Sequence, residues 1–388
     1  MSRHGHETPT DPLAAALSGA VALFVAMGIG RFAYTPVLPV MRADAGLSLP
    51  SAGFVASANF AGYLVGALLL AFLPLPGSRR GWLVVGLLGG VATTAAMALA
   101  QGDIGWATIR FLSGLASALA LVVTTTTVMQ AVMAAGRPKL GMVPFMGVGV
   151  GIAASALLVE AGLRAGLGSH GLWLLLAAVS LVGVALAVPF FPTTASVPAD
   201  TPPSTSRLPR GVLPLTLAYG LFGFGYIVTA TFIVTMVRDL DLGRTAETAV
   251  WLVVGLSGVP SIPVWSALGR RFGVQSALAA AYLLEAVGVF ATAVGTGPLV
   301  LLIGALLLGG TFMGLTALHL VAARDAAPAD PRKLWALMTA VFGVGQMVGP
   351  GISGLLAAGT GSFVVPSLAA AAALVAGGLL IAFGRRSA

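Results

Sequence analysis

The sequence predicts an all-α membrane protein whose twelve transmembrane helices form two pseudo-symmetric six-helix bundles, and three observations carry that expectation. Hydrophobic residues make up 58% of the 388 and charged residues only 8%, where ordinary soluble domains hold roughly a quarter charged residues. Apolar runs long enough to cross about 30 Å of hydrocarbon recur from end to end. A stretch rich in proline and hydroxyl residues divides those runs into six and six.

Met1 to Pro12 is a short polar tail without the brief apolar core and small-residue cleavage site of a signal peptide, so the first helix is expected to be retained. Spans follow at about 13–41, 49–73, 82–100, 103–134, 140–162 and 171–191, then at about 211–237, 246–268, 274–295, 298–323, 335–358 and 361–384. Between the series, Pro192 to Arg210 carries five prolines among Ser and Thr residues, a composition that buries no core and reads as a linker. The expected domains are therefore an N-terminal bundle over 1–191, a cytoplasmic linker over 192–210 and a C-terminal bundle over 211–388. No other loop is long enough for a soluble domain.

Charge fixes the orientation. With the N-terminus inside, fourteen of the twenty basic residues fall in inner segments: Arg3, Arg79, Arg80, Arg137, Lys139, Arg207, Arg210, Arg270, Arg271, Arg324, Arg332, Lys333, Arg385 and Arg386. Four fall in outer loops, at Arg42, Arg164, Arg238 and Arg244. That asymmetry follows the positive-inside rule in both halves and places both termini in the cytoplasm, with a multi-pass protein in the inner (plasma) membrane. It also explains the net charge of +8 as membrane orientation, so nucleic acid is not an expected partner. Cysteine is absent, which excludes disulfides, thiolate metal sites and cysteine nucleophiles.

Two basic residues remain, Arg31 and Arg110, and both lie within spans. Arg31 stands in Gly28-Ile29-Gly30-Arg31-Phe32-Ala33-Tyr34-Thr35-Pro36-Val37-Leu38-Pro39, thirteen residues from Asp44, or roughly 20 Å of helix at 1.5 Å per residue. A charge at that depth normally faces a bundle interior or watery cavity. It either serves a functional cavity or caps backbone carbonyls that Pro36 and Pro39 leave without amide donors.

The halves repeat. Laying 28–41 on 223–236 pairs Gly28 with Gly223, Gly30 with Gly225 and Met41 with Met236, and sets Arg31 opposite Tyr226. Ser78-Arg79-Arg80-Gly81 resembles Gly269-Arg270-Arg271-Phe272-Gly273, and Gly147-Val148-Gly149-Val150-Gly151 resembles Gly343-Val344-Gly345-Gln346. Parallel halves joined by a polar linker are the footprint of a transporter with its site at the midplane.

Over its whole length the chain resembles a transporter of the major facilitator superfamily. The residues that carry the likeness are Pro36-Val37-Leu38-Pro39 ending span one, Arg110-Phe111-Leu112-Ser113-Gly114 opening span four, and the basic turns after spans two and eight. More narrowly, Gly28 to Pro36 and Gly345-Gln346-Met347-Val348-Gly349-Pro350 resemble the YbfB/YjiJ-type branch. The turn after span two departs from the superfamily pattern, since no acidic residue occurs between Asp44 and Asp103. The resemblance implies that spans one, four, seven and ten line a central cavity.

The polar content of those spans, with Asn59 and Tyr63 of span two and Gln346 of span eleven, supplies the candidate substrate residues: Arg31, Tyr34, Asn59, Tyr63, Arg110, Ser117, Tyr219, Tyr226 and Gln346. Span four sets Arg110, Gly114, Ser117, Leu121, Thr124 and Val128 on one helical stripe, and span seven sets Tyr219, Gly223 and Tyr226 on one face. Such stripes suit a cavity wall and equally suit helix packing in lipid. Asn59, Tyr63 and Gln346 reach either the cavity or a neighbouring helix. Glu285 is the sole carboxylate deep in a span and is the candidate for proton coupling, or else hydrogen-bonds a neighbouring helix. His319, near the inner end of span ten, reads as an interfacial histidine rather than a proton relay.

Gly62/Gly66, Gly147/Gly151, Gly310/Gly314 and Gly345/Gly349 are read as helix-packing pairs rather than a nucleotide loop. No nucleotide-binding, zinc-helix or serine-elbow motif occurs, so no cofactor, no metal and no enzymatic activity are expected. Two arginines without a carboxylate in the cavity-lining spans favour a small anionic substrate. The leading expectation is a secondary active transporter, acting as a monomer in the lipid bilayer, that moves a small organic anion by alternating access with possible proton symport. Proton-driven efflux of drug-like amphipathic compounds is the second, and a membrane enzyme or lipid scramblase the third.

Overall fold

The computed structural model describes residues 11–72, 75–193, 211–328 and 330–384. The N-terminal tail and nearly all of the linker expected at 192–210 lie outside those residues. Among the described residues, eleven helices are long and apolar enough to cross a membrane, and twelve when one bent pair is taken as a single span.

Span one runs from Pro12 to Asp44 in pieces: Pro12–Leu23, a π-helical turn at Phe24–Ile29, and Tyr34–Asp44. Spans two to six are Leu49–Phe72, Arg79–Leu99, Gly102–Ala134, Val143–Arg164 and Ser169–Ala187. Span seven is Leu213–Asp239, and span eight comprises Arg244–Gly258 and Ser261–Phe272. Spans nine to twelve are Val274–Val294, Pro298–Ala326, Pro331–Thr360 and Val364–Phe383. Side-chain caps close several starts: the Ser78 hydroxyl accepts from Gly81 N at 3.2 Å and the Asp330 carboxylate from Lys333 N at 3.2 Å.

Two runs that read as continuous in the sequence are broken in the structure. Span eight bends by 46° between its segments, where Pro260 has no amide hydrogen to continue the ladder. Span one breaks around Arg31, as described below. Glycines let the helices approach closely: a Cβ at Gly28 would lie 2.5 Å from the Cα of Gly151 in span five. Gly310 departs from the packing expectation, since a Cβ there meets nothing within 4 Å.

The halves meet along three seams, span two on span eleven, the second part of span one on span seven, and span five on span eight. At the end expected to face outward, Arg42 and Asp239 pair across the halves at 3.4 Å. Deeper in, the Thr35 hydroxyl donates to the Ala230 carbonyl at 2.7 Å and the Trp251 indole donates to the Ser155 hydroxyl at 3.1 Å. These contacts tie the two halves together at that end.

Candidate functional site

The break in span one shapes the candidate site. Gly30 N donates to Val25 O at 2.9 Å and Phe32 N to Met27 O at 3.1 Å, so the winding takes up an extra residue per turn. Pro36 has no amide hydrogen for the Phe32 carbonyl, which accepts from Thr35 N at 3.2 Å instead. The carbonyls of Gly30 and Arg31 are left for side chains of span four. Arg110 Nη1 donates to Gly30 O and Arg110 Nη2 to Arg31 O, each at 2.8 Å, and the Ser113 hydroxyl donates to Gly30 O at 3.1 Å.

Arg110 itself is fully enclosed, with the Tyr34 ring centroid 5.1 Å from its guanidinium carbon and Asn59 Nδ2 donating to its own carbonyl at 2.9 Å. The carbonyl-capping task open to Arg31 in the sequence is thus carried by Arg110. Its planar fork satisfies two adjacent acceptors at once, a geometry lysine lacks.

Freed of that task, Arg31 points across the boundary between halves. Its Nη2 donates to Gln346 Oε1 of span eleven at 2.8 Å, and Gln346 Nε2 donates to the Tyr226 hydroxyl of span seven. Since a guanidinium only donates, this contact fixes which end of the Gln346 amide faces it. The ring centroids of Tyr63 and Phe60 lie 4.1 and 4.6 Å from the Arg31 guanidinium carbon, within cation–π range. Arg31 is 4% exposed. Among the described residues no carboxylate lies within ion-pair distance of it.

Beside this cluster the C-terminal half presents aromatic faces. Phe312 stacks on Tyr226 at 5.9 Å between centroids, Tyr226 on Phe342 at 6.0 Å, and Phe342 on Tyr219 at 4.5 Å. Little room remains: a gap of about 10 Å³ lies between Phe32, Tyr226, Trp251 and Phe312. A cavity of about 370 Å³ lies instead within the N-terminal half, at the end that carries Met41, and is lined by Met41, Met97, Trp106, His170 and Trp173 among others. The candidate site is the cluster around Arg31 and Gln346, because the buried charge is there and the larger cavity belongs to one half alone.

Of the residues singled out in the sequence, Arg31, Tyr63, Tyr226 and Gln346 therefore come together, with Tyr219 one ring away. Tyr34 donates to the Ala52 carbonyl at 3.0 Å, and Ser117 to the Gly114 carbonyl of its own helix at 2.9 Å. With Asn59 and Arg110 they frame the N-terminal half rather than face its partner. Glu285 is fully buried within the C-terminal half, beside the Thr311 hydroxyl of span ten, which donates to the Leu307 carbonyl at 2.6 Å. His319 is fully buried as well, which corrects its reading as interfacial. Phe60, Phe312 and Phe342 were not singled out; Phe60 stands one helical turn before Tyr63, the spacing that marks a shared face. No group of residues suited to a metal ion occurs among the described residues.

Two six-span halves meeting on a buried polar cluster define a secondary transporter of the major facilitator type. The chain belongs to the family described as "Uncharacterised MFS-type transporter YbfB", whose model matches residues 23–382. Among solved structures, a mutant of the nucleoside transporter NupG is similar with a TM-score of 0.78 at 15% identity, covering 96% of this chain and 99% of that one. A second NupG crystal structure gives a TM-score of 0.73 at 14% identity, covering 96% of this chain and 100% of that one. Among proteins of curated function none matches the chain in sequence.

Proposed function

We propose that this transporter carries a small organic anion with a planar body, recognised by Arg31 at the seam between the halves. The observation that supports the reading is a buried guanidinium whose charge is met by a neutral amide and aromatic rings, with no carboxylate. Burying a charge without a counter-ion is costly, and an anionic substrate would remove that cost while gaining a bidentate contact. The stacked rings of Tyr226, Phe342 and Tyr219 would hold a flat body beside it. Opening of the halves would make the room that the closed seam lacks.

A second reading keeps the rings and drops the charge: an uncharged planar heterocycle, a class to which the substrates of the nucleoside transporter NupG belong. The two part on charge. Reconstituted vesicles should take up a radiolabelled planar carboxylate in preference to its carboxamide if the first holds, and the reverse preference would favour the second.

Proton symport through Glu285 belongs to the same proposal, on the ground that this carboxyl group is enclosed within the C-terminal half and, among the described residues, has no ion-pair partner. Glu285→Gln should flatten the pH dependence of uptake while sparing binding; an unchanged pH profile in the folded variant would remove Glu285 from the mechanism. We place the protein in the inner membrane with both termini cytoplasmic, on the charge split of the loops. Single cysteines introduced at Arg79 and Arg270 of this cysteine-free chain should be shielded from an impermeant outside reagent.

A further inference from the structure

The C-terminal half holds a second polar cluster, formed where spans seven, nine and ten meet. The Tyr282 hydroxyl of span nine donates to the Ala218 carbonyl of span seven at 2.6 Å, and the same oxygen lies 3.2 Å from His319 Nε2 of span ten. His319 Nδ1 lies 2.9 Å from the Leu315 carbonyl. Both side chains are fully buried.

Hydrogens can be assigned here from the partners alone. A carbonyl only accepts, so Nδ1 carries a hydrogen and donates to Leu315. The tyrosine hydroxyl has a single hydrogen, and its shorter contact, to the Ala218 carbonyl, uses it. Toward His319 the tyrosine oxygen is then an acceptor. The contact is complete only when Nε2 also carries a hydrogen, which is the doubly protonated imidazolium. In the neutral ring a lone pair on Nε2 faces the lone pairs of the hydroxyl oxygen in a place closed to water.

We infer that His319 is a proton-binding site of the transport cycle: Nε2 takes one proton from water when the site opens, and the Tyr282 oxygen is the acceptor already in place for it. The N–H bond forms on the Nε2 lone pair as an O–H bond of a hydronium ion breaks to leave water, and no oxidation state changes. The inference rests on the proton coupling proposed above and adds His319 to it as a second proton-binding group, one that Glu285 alone does not supply.

The surroundings suit that role. Tyr219 of span seven lies tilted by 31° over the imidazole at 4.6 Å, and Tyr282 meets it edge-on at 5.6 Å. Glu285 follows Tyr282 by one turn of span nine and, among the helices packed on span ten, is the carboxyl group away from the helix ends. Asp239 and Glu247, paired or close to Arg42 and Arg238, stand at the outer ends of spans seven and eight. Arg270 and Arg271 of span eight, Arg324 of span ten, and Arg332 and Lys333 of span eleven stand at the opposite ends. Charge on His319 is also connected by contact to the substrate seam, since Tyr219 stacks on Phe342, Phe342 on Tyr226, and Tyr226 accepts from the Gln346 that holds Arg31.

The test uses no substrate, so its failure is separate from failure of the anion reading. Nitrogen NMR of histidine-labelled protein in nanodiscs, with His4, His6 and His170 replaced, reads both the tautomer and the protonation of the one remaining ring. The expected result is an Nδ1–H ring at about pH 8 that becomes doubly protonated on the way to about pH 5, and a Tyr282→Phe protein in which that second form is missing over the same range. A ring that stays neutral throughout, or carries its hydrogen on Nε2 at about pH 8, would overturn the inference even if Tyr282→Phe failed to fold. Spin labels on spans four and ten then test the cycle: acidification should shift their distance distribution in the wild type and in His170→Gln but not in His319→Gln. A full shift in His319→Gln, lost instead in Glu285→Gln, would return the proton to Glu285.

Discussion

Span one and span seven occupy matching places in the two halves, and they solve the same problem differently. Both bring a glycine-rich stretch to the midplane, with Arg31 opposite Tyr226 when 28–41 is laid on 223–236. Span seven is a continuous helix from Leu213 to Asp239 and presents a neutral hydroxyl. Span one opens into a π-turn, exposes two carbonyls, and presents a cation. The pseudo-symmetric partners then converge on one side chain, Gln346, which accepts from Arg31 and donates to Tyr226. The contrast teaches that irregular backbone in span one is what requires a second arginine, and that the second arginine is what frees the first.

The sharpest way to break this comparison is to remove the support that only span one needs. Arg110→Met should cost about 3 kcal/mol or more of stability, at roughly 1.5 kcal/mol for each charge-assisted bond to the two carbonyls. Denaturant unfolding of the purified variant checks this. Arg110→Lys should recover little, because one ammonium does not span both acceptors as the fork does. A folded Arg110→Met protein of wild-type stability would mean that span one holds its own shape.

Arg31→Gln should leave stability nearly unchanged and weaken binding of an anionic ligand by about 2 kcal/mol, or about thirtyfold, measured by titration calorimetry. Arg31→Lys should recover part of that loss. Opposite outcomes for the two arginines, stability for one and affinity for the other, are what the comparison requires.

Close packing behind the break can be tested at Gly28, where a Cβ would fall 2.5 Å from the Gly151 Cα. Gly28→Ala should cost about 1–3 kcal/mol in unfolding experiments, because two backbones cannot both move aside. The smallest effect is expected on the span seven side. Tyr226→Phe removes one neutral acceptor from Gln346 and should change ligand affinity by about 1 kcal/mol, or fivefold at most.

Much of the fold was legible because lipid imposes a simple rule: every span must be long, apolar and helical, and its flanking charges must sort by side. The apolar length of the run at 13–41 is real, but a hydropathy pattern does not register where hydrogen bonds shift from i−4 to i−5, so the break at Phe24–Ile29 was not readable. The candidate cluster was legible where a charge stood out, as at Arg31, and so was its support at Arg110. It was less so where the partner was a neutral side chain, since Gln346, Asn59 and Ser117 looked alike in the sequence and only the first faces the other half. His319 was misplaced because its distance from the helix end suggested an interface, whereas the packing of spans seven and nine encloses it.

The central claim is that Arg31 waits for a negative charge. Thermal unfolding of the purified wild type against a panel of planar carboxylates, each paired with its uncharged carboxamide, tests it most directly, since a ligand that binds only the folded state raises the melting temperature. The account predicts that carboxylates and not their carboxamides stabilise the wild type, and that the difference disappears in Arg31→Gln while Tyr226→Phe keeps it. Equal stabilisation by a carboxylate and its carboxamide, or a carboxylate effect that survives in a well-folded Arg31→Gln protein, would contradict the account.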